Sequence, residues 1–156
     1  MNPHIRTAAD SDNAAILRIL RQVLLSISPD GAAVPKPSDE YLQSIVKGCE
    51  IFVIEQGDEV VGLNAIRVID LSDRENAAYS KIALVMAIGV DETKRRRGLG
   101  TALVNHMRGW LATEGVEMVS LNVAAHNTPA VAFYKHMGFG TLSMQMGCKL
   151  PLSQES

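Results

Sequence analysis

Val85-Met86-Ala87-Ile88-Gly89-Val90-Asp91-Glu92-Thr93-Lys94-Arg95-Arg96-Arg97-Gly98-Leu99-Gly100 spells an apolar strand, a basic turn and a glycine-framed helix start. A helix that opens this way exposes backbone N–H groups with no intrahelical acceptor. Those groups and the positive end of the helix dipole attract anions, phosphates above all. Four of the chain's 15 basic residues stand at Lys94 to Arg97, a local excess in a chain of net charge -2. Alone, Arg95 to Arg97 would pass for a solvated charge run; the Gly-x-Gly and the helix behind it favour a phosphate site. A Walker loop requires Lys-Ser/Thr after its second glycine, and Gly100 is followed by Thr101-Ala102. A dinucleotide fingerprint requires a third glycine where Leu103 stands. Neither fits.

Outward from this stretch, the chain divides into short elements. A helix is expected from about Ser11, with Ile16, Leu20, Val23 and Leu24 at helical spacing. Ser28 to Ser38 holds three of the six prolines and is a long loop of the kind that often serves function. Ser38 caps a second helix whose apolar stripe is Tyr41, Leu42, Ile45 and Val46, and Gly48 stops it. Glu50–Glu55 and Glu59–Ile69 flank the turn Gln56-Gly57-Asp58 as a hairpin. Ser80–Val90 is a central strand buried on both faces. The helix that opens at Gly98 runs to Gly115. Glu117–Ala124 is another strand, a short helix with Pro129 in its first turn follows, and Thr141–Leu150 is a last strand.

Composition narrows the function. The 156 residues make one domain, 1–156, with 47% apolar and 21% charged residues. A pI near 6.1 and 4% aromatics argue against nucleic-acid binding. Cys49 and Cys148 lack metal-ligand or disulfide-framework spacing, and His4 and His106 have no partner at ligand spacing, so no metal is expected. No apolar run approaches the roughly 20 residues of a membrane span. A soluble, cytoplasmic protein with no membrane partner is expected. Met107, Met118, Met137, Met144 and Met146 are expected to fill core gaps, and Trp110 to pack beneath its helix.

Arg95-Arg96-Arg97-Gly98-Leu99-Gly100 resembles the first signature of the GNAT superfamily of N-acetyltransferases: Arg or Gln, two residues, Gly, one residue, Gly or Ala. Asn127-Thr128-Pro129-Ala130-Val131-Ala132-Phe133-Tyr134-Lys135-His136-Met137-Gly138-Phe139 resembles its second: Asn, two residues, Ala, two residues, Phe-Tyr, three residues, Gly-Phe. The two stand in the right order, one helix and one strand apart. The likeness is close over residues 80–150, the acetyl-CoA-binding core. The implied fold is α/β (α+β): a mixed, mostly antiparallel sheet of six or seven strands, flanked by about four helices and splayed between the fourth and fifth strands.

The resemblance implies that acetyl-CoA, a co-substrate, lies in that splay. Backbone groups of Ile88 and Val90 would pair with its pantetheine arm as an added strand, with Gly89 between them in the same cofactor-binding stretch. The Ile88 N–H would face the thioester oxygen. The N–H groups of Arg96, Arg97, Gly98, Leu99, Gly100 and Thr101 would hold the pyrophosphate, and the basic side chains here, Arg95 among them, could also reach the nucleotide's 3′-phosphate. Asn127 would bond the pantetheine, and Tyr134 would be the general acid for the leaving thiolate. Phe133, Met137 and Phe139 are packing residues.

The implied activity is direct attack of a primary amine on the thioester in a ternary complex. The acceptor is a small-molecule amine or a peptide or protein amine. An ammonium of pKa near 10.4 is neutral only about once in 2500 molecules at pH 7, so a base or water chain must deprotonate it. Many family members carry a Glu on the fourth strand, whereas Lys81-Ile82-Ala83-Leu84-Val85-Met86 has no carboxylate. Glu40, Glu50, Asp70 and Glu75 are the alternatives elsewhere. Without such a base, a catalytically weak acyl-CoA-binding or sensor module of the same fold is the second reading. Gly140 to Leu150 offers one strand where many members have two. The vacant place could be filled by a partner subunit, which leaves room for a homodimer.

Overall fold

The computed structural model describes residues 3–27, 36–95 and 98–151. Most of the loop at Ser28 to Ser38, together with Arg96 and Arg97, lies outside them. Among the described residues there are five strands and four helices. In chain order they are β1 (His4–Thr7), α1 (Asn13–Ile27), α2 (Asp39–Val46), β2 (Glu50–Gln56), β3 (Glu59–Asp70), β4 (Lys81–Val90), α3 (Leu99–Thr113), β5 (Met118–Leu121) and α4 (Thr128–His136). The sheet order follows the chain, β1-β2-β3-β4-β5. The first four strands are antiparallel neighbours, whereas β5 runs parallel to β4. That parallel step needs a crossover, and α3 supplies it.

The hairpin, β4 and all four helices fall within a residue or two of expectation; β5, at Met118–Leu121, is shorter than the strand expected over Glu117–Ala124. Ser38 Oγ accepts from the Tyr41 N–H, as a cap should. Ser11 is not the start of α1. It lies in a 3-10 turn, Asp10–Asp12, where the buried Asp12 accepts from the Ala9 N–H and from Arg6. Strand β1 is an addition; it joins the sheet by pairing Ile5 with Ile54. Burial in β4 alternates, with Ala83, Val85 and Ala87 inside, so the strand is not buried along both faces. Tyr41 is 56% exposed and Leu42 carries the α2 contact instead.

The largest departure is at the end of the described chain. The expected strand Thr141–Leu150 forms no strand and every residue of it is exposed. The sheet therefore has five described strands and not six or seven. Met107 and Met137 are core residues, but Met144 and Met146 stand in solvent, as does Cys148. Trp110 is half-buried and meets Phe52 edge-to-face at 5.2 Å.

The two faces of the sheet hold separate cores. On one, Ile16, Ile19, Leu20 and Leu42 of α1 and α2 cover Val53, Leu63 and Ala65. On the other, Val104, Met107 and Leu111 of α3 and Met137 after α4 cover Phe52, Ile66 and Val85. Burying each such side chain contributes about 1.5–3 kcal/mol, so the helices are held chiefly by these faces. Gly89 sets how closely α1 approaches β4, because a Cβ there would run into the Val23 Cγ2 methyl. Gly89→Ala is therefore expected to destabilise the fold by about 1–3 kcal/mol in urea unfolding. Adding Val23→Ala should remove the clash, so the double variant should lose less than the sum of the two single losses. Simple additivity would show that α1 does not rest on Gly89.

Candidate active site

Strand β4 outruns its neighbour. Its ladder to β5 covers Ile82 to Val85, opposite Met118 to Leu121, and stops there. Its ladder to β3 continues to Val90, opposite Gly62. From Met86 to Val90, β4 thus has a partner on one side only. A register shift between Ala65 and Ile66 leaves Met86 as the extra residue, a bulge at the point where β5 departs.

Strand alternation decides which groups face the gap. The Asp91 N–H donates to Val61 of β3 at 2.7 Å. Stepping back along the strand, the backbone groups of Gly89 face β3, and those of Val90 and Ile88 face away from it. The Val90 carbonyl instead accepts from Arg95 Nε at 3.3 Å. Among the described residues the N–H and carbonyl of Ile88 and the N–H of Val90 are therefore left without partners at an open edge, where an extended ligand can add as a strand. Gly89 turns its open face to α1.

The gap leads to the start of α3. Gly98 caps that helix with φ of 76°, a left-handed conformation that glycine adopts without strain, and space in front of it is open. No side chain caps the helix and its first turn holds no acidic residue. The first helical bond runs from the Ala102 N–H to the Gly98 carbonyl. The N–H groups of Leu99, Gly100 and Thr101 consequently lack helical acceptors. Leu99 itself is packed against Ile54, Val61 and Leu103, which leaves its backbone as the part available to a ligand. Arg95 is exposed beside this end.

Helix α4 closes the other side. A Cβ on Gly100 would touch the Phe133 ring at 3.5 Å, so α4 packs on the first turn of α3. This contact brings together the two stretches singled out from sequence. Asn127 caps α4: its Oδ1 accepts from the Ala130 N–H at 3.4 Å, which leaves its Nδ2 free to donate. Tyr134 lies between Phe133 and Phe139, with ring centroids 5.3 and 5.8 Å away. Burial pushes its hydroxyl pKa up, so the proton stays on at neutral pH.

The residues that hold the β4–α3 turn were not singled out from sequence. Asp91 is buried and accepts from the Thr93 N–H and hydroxyl at 3.0 and 2.8 Å. Arg18 of α1 pairs with the same carboxylate and also donates to the Val60 carbonyl. The Thr93 N–H first, then the Thr93 hydroxyl and Arg18, hold the Asp91 pKa below the usual carboxylate range against its burial. Gln22 accepts from the Glu92 N–H at 3.0 Å. Asp at a strand end followed two residues later by Thr is the local signal for such a turn. Of the alternative bases, Glu40, Glu50, Asp70 and Glu75 are all exposed. Asp70 pairs with Lys81 at the far end of β4, and Ser72 lowers its pKa, which weakens it as a base.

An open strand edge running on to a helix start without a side-chain cap is the geometry that links the two signatures of the sequence. Residues 18–139 match the sequence model of the Acetyltransferase (GNAT) family, and the chain belongs to that family. It is 27% identical over 152 residues to the uncharacterized N-acetyltransferase YjgM of Escherichia coli K12, covering 94% of this chain and 87% of that protein. It is 38% identical over 63 residues to the [ribosomal protein bS18]-alanine N-acetyltransferase of Salmonella typhimurium, covering 40% of this chain and 43% of that protein. The solved structure of a tetramutant of the BH1408 protein from Bacillus halodurans superposes with a TM-score of 0.81. The two are 21% identical, and the match covers 94% of this chain and 99% of the other. That likeness is one of fold. No helix among the described residues is long and apolar enough to cross a membrane.

Gly98→Asp sets a negative charge and a strained side chain at the open helix start. It is expected to weaken acetyl-CoA binding at least about 100-fold, or about 2.7 kcal/mol, by calorimetry. Gly98→Asn, uncharged and tolerant of the left-handed conformation, should lose far less. Equal losses from both would mean that charge at this point does not matter.

Proposed function

We propose that the protein is an acetyl-CoA-dependent N-acetyltransferase that transfers the acetyl group directly to a primary amine. The observation that carries this reading is the unpaired edge of β4 at Ile88 and Val90, running on to the uncapped start of α3. Pantetheine pairs with that edge. Its pyrophosphate takes the N–H groups of Gly98 to Thr101, with Arg95, Arg96 and Arg97 as the neighbouring positive charges. Asn127 Nδ2 donates to the pantetheine arm. Gly89 contributes by letting α1 close down behind the strand.

The acceptor nitrogen attacks the thioester carbon and forms the C–N bond. Negative charge develops on the carbonyl oxygen, where the Ile88 N–H donates; one such donor is worth about 3 kcal/mol. The C–S bond then breaks, the electron pair stays on sulfur, and Tyr134 gives it a proton. The ammonium gives one proton to water before attack, since β4 carries no carboxylate at its start and the alternative acids stand in solvent; after attack the nitrogen gives up its second proton through water, and Tyr134 is reprotonated. No Cys or Ser stands in either signature as an activated nucleophile, which favours a ternary complex over an acetyl-enzyme.

The acceptor is a small-molecule amine or a peptide or protein amine. Alanine of a ribosomal protein is what the Salmonella relative is named for. Helices α1 and α2 and the segment from Asp70 to Asn76 are the candidates to build the acceptor side. The reaction takes place in the cytoplasm, where acetyl-CoA is made available.

Tyr134→Phe is expected to lower kcat about 100-fold while the Kd for acetyl-CoA stays within about threefold. Thiol release from acetyl-CoA with an amine panel gives the rate, and calorimetry gives the affinity. Intact turnover with a large loss of affinity would remove Tyr134 from the role of acid. Tight acetyl-CoA binding without turnover on any amine would favour an acyl-CoA sensor.

A further inference from the structure

The end of β4 that borders the gap carries one large apolar side chain with no place in the core. Val85 and Ile88 pack with the α3 face, Ala87 with the α1 face, and Val90 with Leu99 and Leu103. Met86 is half-buried and joins none of these groups. It is the extra residue of the bulge. It also directly follows Val85, where the ladder to β5 ends opposite Leu121. Met86 therefore stands at the closed end of the gap, where the two strands part.

Strand geometry decides what can reach it. With acetyl-CoA placed as proposed, the carrier enters at the start of α3, runs back along Val90 and sets its thioester at Ile88. The acyl group then points down β4 toward Val85, where β5 closes the gap. Both flanks at the level of Ile88 are occupied. On one, a Cβ on Gly89 would run into the Val23 methyl of α1. On the other, the Ile88 side chain packs with the α3 face. The open direction is along the strand, and Met86 lies two residues, about 7 Å, from Ile88.

We infer, resting on that placement, that Met86 walls off the acyl end of the gap and sets the length of acyl group accepted, holding it to acetyl among short acyl thioesters of CoA. A flexible, unbranched thioether can fill the irregular end that a bulge leaves. An apolar wall discriminates through packing alone, by about 10–200-fold for each methylene that fits badly. A shorter side chain at 86 moves the wall back and leaves every polar contact to the carrier in place.

The ratio of kcat/KM for butyryl-CoA to that for acetyl-CoA reads the wall directly, because a general loss of rate or of folded protein cancels in it. Met86→Ala should raise this ratio at least about 10-fold. Met86→Val, β-branched and suited to a strand, gives the same test in a second variant and should raise it as well. Met86→Leu, of similar volume, should leave it within about threefold. Calorimetry adds a readout without turnover: Met86→Ala should gain at least about 10-fold in affinity for butyryl-CoA relative to acetyl-CoA. Binding of both thioesters by the native chain, with ratios unmoved by Met86→Ala and Met86→Val, would overturn the inference and leave the acetyl-transfer reading standing. A change in amine preference without a change in acyl preference would overturn it in the same way. Binding of neither thioester by the native chain would overturn both.

Discussion

Strand β4 continues five residues beyond its last partner on β5, and the site depends on that mismatch. A sheet interior leaves no main-chain group unpaired, so a cleft bounded by strands must come from strands that part. Here the parting falls at the Met86 bulge, and beyond it Ile88 and Val90 keep β3 on one side and open space on the other. The crossover through α3 makes β5 parallel to β4 and also sets the start of α3 at the open end of the gap. One connection therefore supplies both an open strand edge and an open helix start, the two features on which the proposed binding of the acyl carrier rests.

The open edge has to be stiff to be useful, and the stiffness comes from the opposite face. Helix α1 lies directly on Gly89, Arg18 reaches the buried Asp91, and Gln22 takes the N–H of Glu92. Two successive turns of one helix thus fix the end of β4 and the turn after it. Binding through main-chain groups gains from such support, because a rigid edge is not reordered when the ligand arrives. Phe133 on Gly100 does the same from the α4 side.

What could be read from sequence follows from how local the physics is. Gly98 with its left-handed backbone, Ser38 and Asn127 as caps, and Pro129 in the first turn of α4 act within a few residues. Their effect is visible in a short window. The parting of β4 and β5 was legible only through resemblance to a family, since nothing in Met86 to Val90 states where a strand 30 residues later stops pairing. β1 escaped notice because four residues with two charged or polar ends carry little pattern. Tyr41 occupies a position on the expected stripe of α2 but stands in solvent, while Leu42 is buried and Ile45 and Val46 pack half-buried against the core. The alternation in Thr141–Leu150 suggests a strand and none forms there; a strand also needs a neighbour, and among the described residues the segment has none.

The most direct test of the account is the map of amide shifts in a ¹H–¹⁵N spectrum as acetyl-CoA is added to the labelled protein. The account predicts saturable changes centred on Ile88, Val90, Gly98 to Thr101 and Asn127, with the β1–β2 end of the sheet unmoved. Dephospho-CoA should reproduce the pattern, and ATP should reach only the helix start. Saturable changes that spare Ile88 and Val90 would contradict it, because the open edge of β4 would then not be where the acyl carrier lies.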